Sequence, residues 1–270
     1  LNYRVLAPHS PIHTVELPGG ERGQIVMAPA CQKGTLSMTF RKPSLLRFTH
    51  KDYVNSGRYD RAQAIASPIL TLKAWQRDMQ EAHAAGDWDR FMEIAVAHRQ
   101  NIIVFGGPGS GKTTYGKSLI DLFPAHRRMV TIQEMLEDPL PFHPNHVHLF
   151  YGHVVGPKAL VASSLRMKPD HLFLTELTGD EVWHFIEILN TGTEGTVTTA
   201  HANDSEAGYA RVCGLVKQSE VGKGLDYAYI ERLVRTSFDV VVYMEKQDIL
   251  EVHYEPEYKL ALLNGQRQRR

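Results

Sequence analysis

The sequence predicts an α/β fold, a mostly parallel sheet with helices packed on it, preceded by part of a small α+β domain. Three observations carry this reading. From residue 101 onward, apolar strand-like runs alternate with helix-like segments, the order produced when parallel strands are joined through crossover helices. One loop in that alternation, Gly106-Gly107-Pro108-Gly109-Ser110-Gly111-Lys112-Thr113, matches G-x-x-x-x-G-K-[ST] in full and stands between a strand and a helix, the context this motif requires. Ahead of it, residues 12–40 hold only short strand-like runs separated by Gly-rich turns.

Taken in order, IHTVEL, QIVMAP and TLSMTF read as strands, separated by PGGERG and CQKG, where glycine supplies the backbone freedom of a tight turn. Residues 42–62 are polar and rich in turn formers, as a linker would be, and residues 63–82 and 88–99 read as helices. Asp87 is placed to cap the second of these. NIIVF, MVTI, HVHLF, HLFLTEL and GTVTTAHAN then read as strands. Between and after them, KTTYGKSLIDLF, PKALVASSLR, DEVWHFIEILN and DSEAGYARVCGLVK read as helices. FDVVVYM, ILEVHY and KLALL are read as late strands forming an antiparallel addition. The expected division is 1–44 for a partial N-terminal α+β domain, 45–98 for a linker and helices, and 99–270 for the nucleotide-binding domain. The basic tail, Arg267, Arg269 and Arg270, reads as a solvated terminus.

Composition narrows the classes. Thirty Lys and Arg balance thirty Asp and Glu, so direct nucleic-acid binding is not predicted. Cys31 and Cys213 are the only cysteines and lie far apart, which favours a reducing compartment over a disulfide framework. No run of 18 apolar residues is present, so no transmembrane segment is expected. The chain opens on Leu1 rather than Met, which fits a fragment of a longer protein.

The loop defines the chemistry. Gly107, Pro108, Gly109, Ser110 and Gly111 form a turn whose backbone N–H groups converge on phosphate, and the following helix adds its positive N-terminal field. Lys112 would reach the β- and γ-phosphates, Thr113 would place its hydroxyl on Mg2+, and Thr114 would support the helix start. The alternative is a Gly-rich turn that happens to precede a lysine. The motif does not choose between ATP and GTP.

Other candidates stand at strand ends. Glu176 closes HLFLTEL, where a carboxylate faces a metal, holds a water or acts as its base; the plainer reading is a helix-entry or surface glutamate. Gln133 and Glu134 close MVTIQE. An amide orients water without accepting its proton, whereas Glu134 can accept one. Successive strand residues point to opposite faces, so both registers stay open. Glu137 and Asp138 either cap the next turn, approach the site or are solvated acids. His201 closes TVTTAHAN, either sensing phosphate and relaying to Glu176 or bonding locally, and Asn203 is a candidate helix cap. His143, His146, His148 and His153 invite a metal reading, but without cysteine partners or an HExxH pattern a surface or interface role is preferred. Arg166 is placed to meet a phosphate, a neighbouring subunit or a structural ion-pair partner. Arg41 is either a clamp on nucleotide from the first domain or a solvated linker charge.

At this point the chain resembles the traffic ATPases of bacterial type IV secretion and conjugation, relatives of the type II secretion and type IV pilus ATPases. The resemblance runs from about residue 15 to about residue 245. It is carried by ELPGGERGQI, TLSMTFRKPS, GGPGSGKTT, MVTIQE, HPNHVHLFY, SSLRMKPDHLFLTEL, LNTGTEGTVTTAHAN and AGYARVCGLV. It implies a RecA-like C-terminal domain, ATP and Mg2+ as cofactors, and a homohexamer at the cytoplasmic side of the inner membrane, working with other secretion components. It also implies that Lys112 and Thr113 serve the phosphate loop, Glu176 the second acidic motif and His201 the histidine motif. Arg41 would approach phosphate from the N-terminal domain, and Arg166 would stand near the active interface. The family usually reads Ile-Glu-Asp where this chain reads Ile132-Gln133-Glu134. The usual water-activating glutamate is thus replaced by Gln133, and Glu176 or Glu134 is expected to compensate. The competing readings are a nucleotide-gated ring scaffold with weak hydrolysis and a small-molecule P-loop kinase.

Overall fold

A computed structural model describes residues 5–64, 70–189 and 191–268. Three antiparallel strands come first: β1 (Ile12–Glu16), β2 (Arg22–Met27) and β3 (Leu36–Arg41), in the order β1-β2-β3. They coincide with the three runs read as strands. β2 is the central strand, and its Gln24 is buried, accepting from the Thr14 hydroxyl at 2.9 Å and donating to Ser163 Oγ at 2.9 Å. This sheet therefore sits on the later α/β unit through a polar bond as well as through Val26, Ala30 and Cys31, which join the same apolar core as Leu149 and Leu160.

The linker carries a short helix, α1 (His50–Asn55), started by a reciprocal Thr49–Asp52 cap, which satisfies two of the orphan N–H donors at a helix start. The first predicted helix begins later than expected. It is α2 (Ala74–Ala85), ending at Gly86, and residues 65–69 lie outside the described residues. Asp87 caps α3 (Trp88–Ala97) as expected, its side chain accepting from the Arg90 amide. Phe91 and Ala95 of α3 pack with Met79 of α2 against Ile102 and Leu119.

The α/β unit follows: β4 (Ile102–Gly106), α4 (Lys112–Ile120), β5 (Met129–Gln133), β6 (His146–Phe150), α5 (Pro157–Ser164), β7 (His171–Leu174), α6 (Glu181–Leu189) and β8 (Val197–Ala200). Then come α7 (Ser205–Gln218), α8 (Glu220–Lys223), α9 (Tyr227–Ser237), β9 (Val240–Glu245), β10 (Asp248–His253) and α10 (Pro256–Gln268). The strands form two ladders, β10-β9-β4-β8 and β6-β5-β7. All pairs are parallel except β9–β10, the antiparallel addition.

The seam between the ladders is β7 against β8. Its bonds come mostly from threonine hydroxyls, with one backbone bond from the Leu177 amide to the Thr199 carbonyl at 2.8 Å. Thr196, Thr198 and Thr199 donate to the carbonyls of Leu172, Leu174 and Thr175 at 2.7, 2.6 and 2.9 Å. One parallel bridge, Glu176 to Thr199, closes the seam at the end nearest the phosphate loop. The threonines in TVTTAH thus build the sheet as well as suiting a strand.

Two expectations are corrected. KLALL is helical, within α10, not a strand. Pro256 opens that helix, where its missing N–H costs nothing, and Asn264 exchanges side-chain bonds with the backbone of Leu70. The cap of α7 is Asp204, whose carboxylate accepts from the Ala207 amide at 2.7 Å, rather than Asn203. In the basic tail, Arg269 and Arg270 lie outside the described residues. No helix among the described residues is long and apolar enough to cross a membrane.

Candidate nucleotide site

β4 delivers the chain into the loop at Gly106. A side-chain carbon there would collide with the Met244 carbonyl and stand 2.5 Å from Ser110 Oγ, so only glycine lets the loop turn against β9. Gly111 caps α4 with φ 91°, in the left-handed region that favours glycine. The loop therefore ends with the α4 N–H groups directed outward, as phosphate binding requires.

Lys112 follows. It is 7% exposed, and its Nζ donates to the Gly107 carbonyl at 2.8 Å and stands 3.4 Å from His201 Nδ1. His201 Nε2 in turn lies 2.9 Å from Glu176 Oε1. An ammonium facing Nδ1 makes that nitrogen the acceptor, which leaves the proton on Nε2 to be donated to Glu176. The three residues come from different elements: the α4 start, the end of β7 and the end of β8. Burial pushes the Lys112 pKa below its ordinary value, and the Glu176 charge opposes that. The cleft beside them is about 730 Å³ and is lined by Gly109, Ser110, Gly111, Lys112, Thr113 and Thr114 on one side and by Met244 and Gln247 on the other.

On the other flank of α4, Thr113, Thr131, Thr175, Glu137 and Asp138 line a small hollow of about 30 Å³, room for a water-sized species. Asp138 is buried, and its Oδ2 has no hydrogen-bond partner. Ile120, Phe173, Val197 and the cationic Lys117 complete a lining that is mostly apolar; the Thr113 hydroxyl and the unpartnered Asp138 oxygen are the groups there of the kind Mg2+ takes. Sequence reasoning left Asp138 among several roles; its burial in the hollow singles it out.

Gln133 occupies a different setting. It is fully buried. Its Nε2 donates to Thr131 Oγ1 at 2.9 Å, and its Oε1 accepts from the amides of Glu137 and Asp138 at 3.0 and 3.4 Å. Thr131, accepting from Gln133, passes its own proton to His148 Nδ1 at 2.8 Å. The side chain thus ties the strand end to the loop carrying Asp138. Glu134 is exposed; with Glu176 it helps hold the Tyr151 phenol up, second to burial, at about 12.

Of the four histidines read as surface or interface groups, His153 is exposed and His146 half-buried, but two fall differently. His143 and His148 are buried, and His143 Nε2 pairs with the Phe123 carbonyl at 2.9 Å. Among the described residues no group of three or more His, Cys, Asp or Glu is placed to hold a metal. Burial pushes His148 and His171 down to about 4. Below the ordinary value of 6.5, the unfolded chain therefore binds protons that the folded chain refuses. Their contribution is complete above that pH and is lost as pH falls toward 4, with a slope of up to about 1.4 kcal/mol per pH unit for each. Imidazole NMR resonances followed from pH 7.5 to 5 are expected to stay at their neutral positions; a midpoint near 6.5 for either residue would refute this.

Arg41 and Arg166 come together, in a second cleft of about 990 Å³ with Arg22, Lys42 and Lys168 facing Glu16. This cleft lies between the N-terminal sheet and the turn Leu165–Met167, and none of its lining residues lines the phosphate-loop cleft. Within one chain, the structure groups Lys112, Thr113, Glu176 and His201 and sets the two arginines apart.

The profile of the family described as "Type II/IV secretion system protein" matches residues 69–256. The chain belongs to this family. It is 38% identical over 267 residues to the type IV secretion system protein VirB11 of Brucella suis biovar 1, covering 93% of this chain and 73% of that protein. It is 34% identical over 256 residues to PtlH of Bordetella pertussis, covering 90% and 73%. Among solved structures, the VirB11 ATPase from the Brucella suis type IV secretion system, in complex with sulphate, superposes with a TM-score of 0.91 over 96% of this chain and 78% of that one, at 38% identity. The mixed α/β architecture with parallel ladders is thus that of a VirB11-like secretion ATPase, and nucleotide binding at the phosphate loop is a property of the family.

Proposed function

We propose that this chain hydrolyses ATP with Mg2+ as a homohexameric ring, powering type IV secretion or conjugative pilus assembly and substrate transfer. The observation that carries it is the connected chain Lys112–His201–Glu176 at the mouth of the phosphate loop. Lys112 neutralises the β- and γ-phosphates. Thr113 would hold Mg2+, with Asp138 as the nearby carboxylate, and a bound Mg2+ would supply charge stabilisation for phosphoryl transfer. Glu176 positions the attacking water and takes its proton, and His201 reports the state of the γ-phosphate to it. Gln133 holds the Asp138 loop, and Glu134 is the reserve carboxylate at the same strand end.

Arg41 and Arg166 serve a neighbouring subunit in this scheme. A cleft with five cations and one carboxylate, set away from its own phosphate loop, suits an anion brought by another copy, as in a closed ring with a repeated heterologous interface. The division into 1–44, 45–98 and 99–270 then describes an N-terminal domain, a linker region and a RecA-like motor domain. The ring works at the cytoplasmic face of the inner membrane, attached through other secretion components.

Native mass and steady-state phosphate release measured on one preparation test this. A nucleotide-stabilised hexamer that releases phosphate supports it. A hexamer that binds ATP without turnover would favour a nucleotide-gated scaffold, a reading that the structural bonding of Gln133 keeps in play.

A further inference from the structure

The cation-rich cleft has two walls that belong to different parts of the chain. Arg22, Arg41 and Lys42 stand on the N-terminal sheet and just past it, and Arg166 and Lys168 stand on the turn at Leu165–Met167. Cations sharing one cleft repel one another, so the walls need a tie to keep their spacing. One side chain bonds to both. Arg128 lies just before β5 and outside the cleft lining, and its guanidinium spreads over three acceptors. Nε donates to the Met167 carbonyl at 3.0 Å, Nη1 to Asn145 Oδ1 at 2.8 Å and Nη2 to Thr39 Oγ1 at 3.3 Å. Its backbone amide donates to Asp170 Oδ2 at 2.8 Å, which fixes the point from which the side chain reaches.

We propose that Arg128 is a positioning residue for phosphoryl transfer, holding the two walls of this cleft at the separation at which their cations meet the phosphates of a neighbouring subunit. The proposal rests on the reading that the cleft serves another copy, and it names the side chain that keeps the cleft in shape. Thr39 and Arg41 share a face of β3, because alternate strand residues do. A bond at Thr39 Oγ1 therefore orients the face that carries Arg41. On the other wall, Met167 is the residue between Arg166 and Lys168, and it is fully buried. Its carbonyl is held where Lys168 turns to φ 53°, a conformation uncommon for residues with side chains. The bond from Arg128 thus steadies the turn at the point where the backbone is least relaxed. A lysine at position 128 would keep the charge without the rigid fork of donors.

Phosphate release from co-expressed mixed assemblies of the full chain tests this. Arg128→Lys alone is expected to lower release by about 10- to 100-fold, the scale of a small misplacement at a reacting centre. Lys112→Ala alone keeps its cleft and loses its phosphate loop. In equal mixtures of the two, an intact loop meets an intact cleft at about one interface in four, so release is expected to return to about a quarter of the wild-type rate. A defect confined to the fold of the Arg128→Lys subunit would gain nothing from mixing. Thr39→Val removes one acceptor at a half-buried position and is the second variant, should Arg128→Lys fail to fold. It is expected to lose about threefold to tenfold and to be restored in the same way. Arg41→Ala mixed with Lys112→Ala is the reference arm. Restoration in that arm but in neither of the other mixtures would overturn the role of Arg128, as would wild-type release from Arg128→Lys alone. Restoration in no mixture would overturn the assignment of the cleft to a neighbouring subunit, and this proposal with it.

Discussion

Glu176→Gln is expected to lower steady-state phosphate release by about 10²–10⁴-fold, the usual contribution of a positioned general base, while ATP binding is expected to change little. The amide keeps the acceptor that His201 Nε2 uses at 2.9 Å, so the local geometry survives. What is lost is the ability to take a proton from water. The substitution also removes the charge that opposes the desolvation of Lys112, so the lysine pKa moves further down and the Kd for ATP rises slightly. The split between intact binding and absent turnover separates a catalytic role from a structural one. Turnover within twofold of wild type would move the base elsewhere, with Glu134 the next carboxylate to test.

Gln133→Leu costs about 2–4 kcal/mol of stability and lowers the melting temperature by roughly 5–15 °C. The apolar side chain fills similar space but leaves the buried Thr131 hydroxyl and the Glu137 and Asp138 amides without their present partner. Buried polar groups stripped of partners account for many of the largest single-substitution effects. Gln133→Glu behaves differently. Its carboxylate keeps the amide donors but has no proton to give Thr131, whose hydroxyl turns toward the new charge. His148 Nδ1 then loses its donor from Thr131 and takes a proton instead. The His148 pKa, about 4 in the wild type, is expected to rise, and imidazole NMR titration reads it directly. A wild-type melting temperature in Gln133→Leu, or an unmoved His148 in Gln133→Glu, would remove the structural role assigned to this amide.

Much of the architecture was legible in the chain. Local patterns suffice where a signal is short in range: glycines at forced turns, Asp87 at a helix start, apolar runs for β4, β5 and β7, and the motif ending in Lys112 and Thr113. KLALL was misread because five residues of mixed apolar pattern do not discriminate strand from helix; Pro256 and the contact to Leu70 decide it. His143 and His148 were misplaced because burial is a property of the packed sheet. Local sequence cannot tell a solvated imidazole from one wedged between β5 and the Asp138 loop.

By itself, the sequence determined that this protein has a phosphate loop between a strand and a helix, and it carried the motifs of a secretion ATPase. Those features depend on residues close together in the chain. The tertiary structure alone decided which distant residues meet. It joined Lys112 to His201 and Glu176 across three elements, turned Gln133 into the bonding of its own strand end, and put Arg41 beside Arg166 rather than beside Lys112. The physical reason is that side-chain direction follows strand register and sheet order. Here the order depends on a seam held mostly by threonine hydroxyls, a long-range pairing that becomes visible only when β7 and β8 lie side by side.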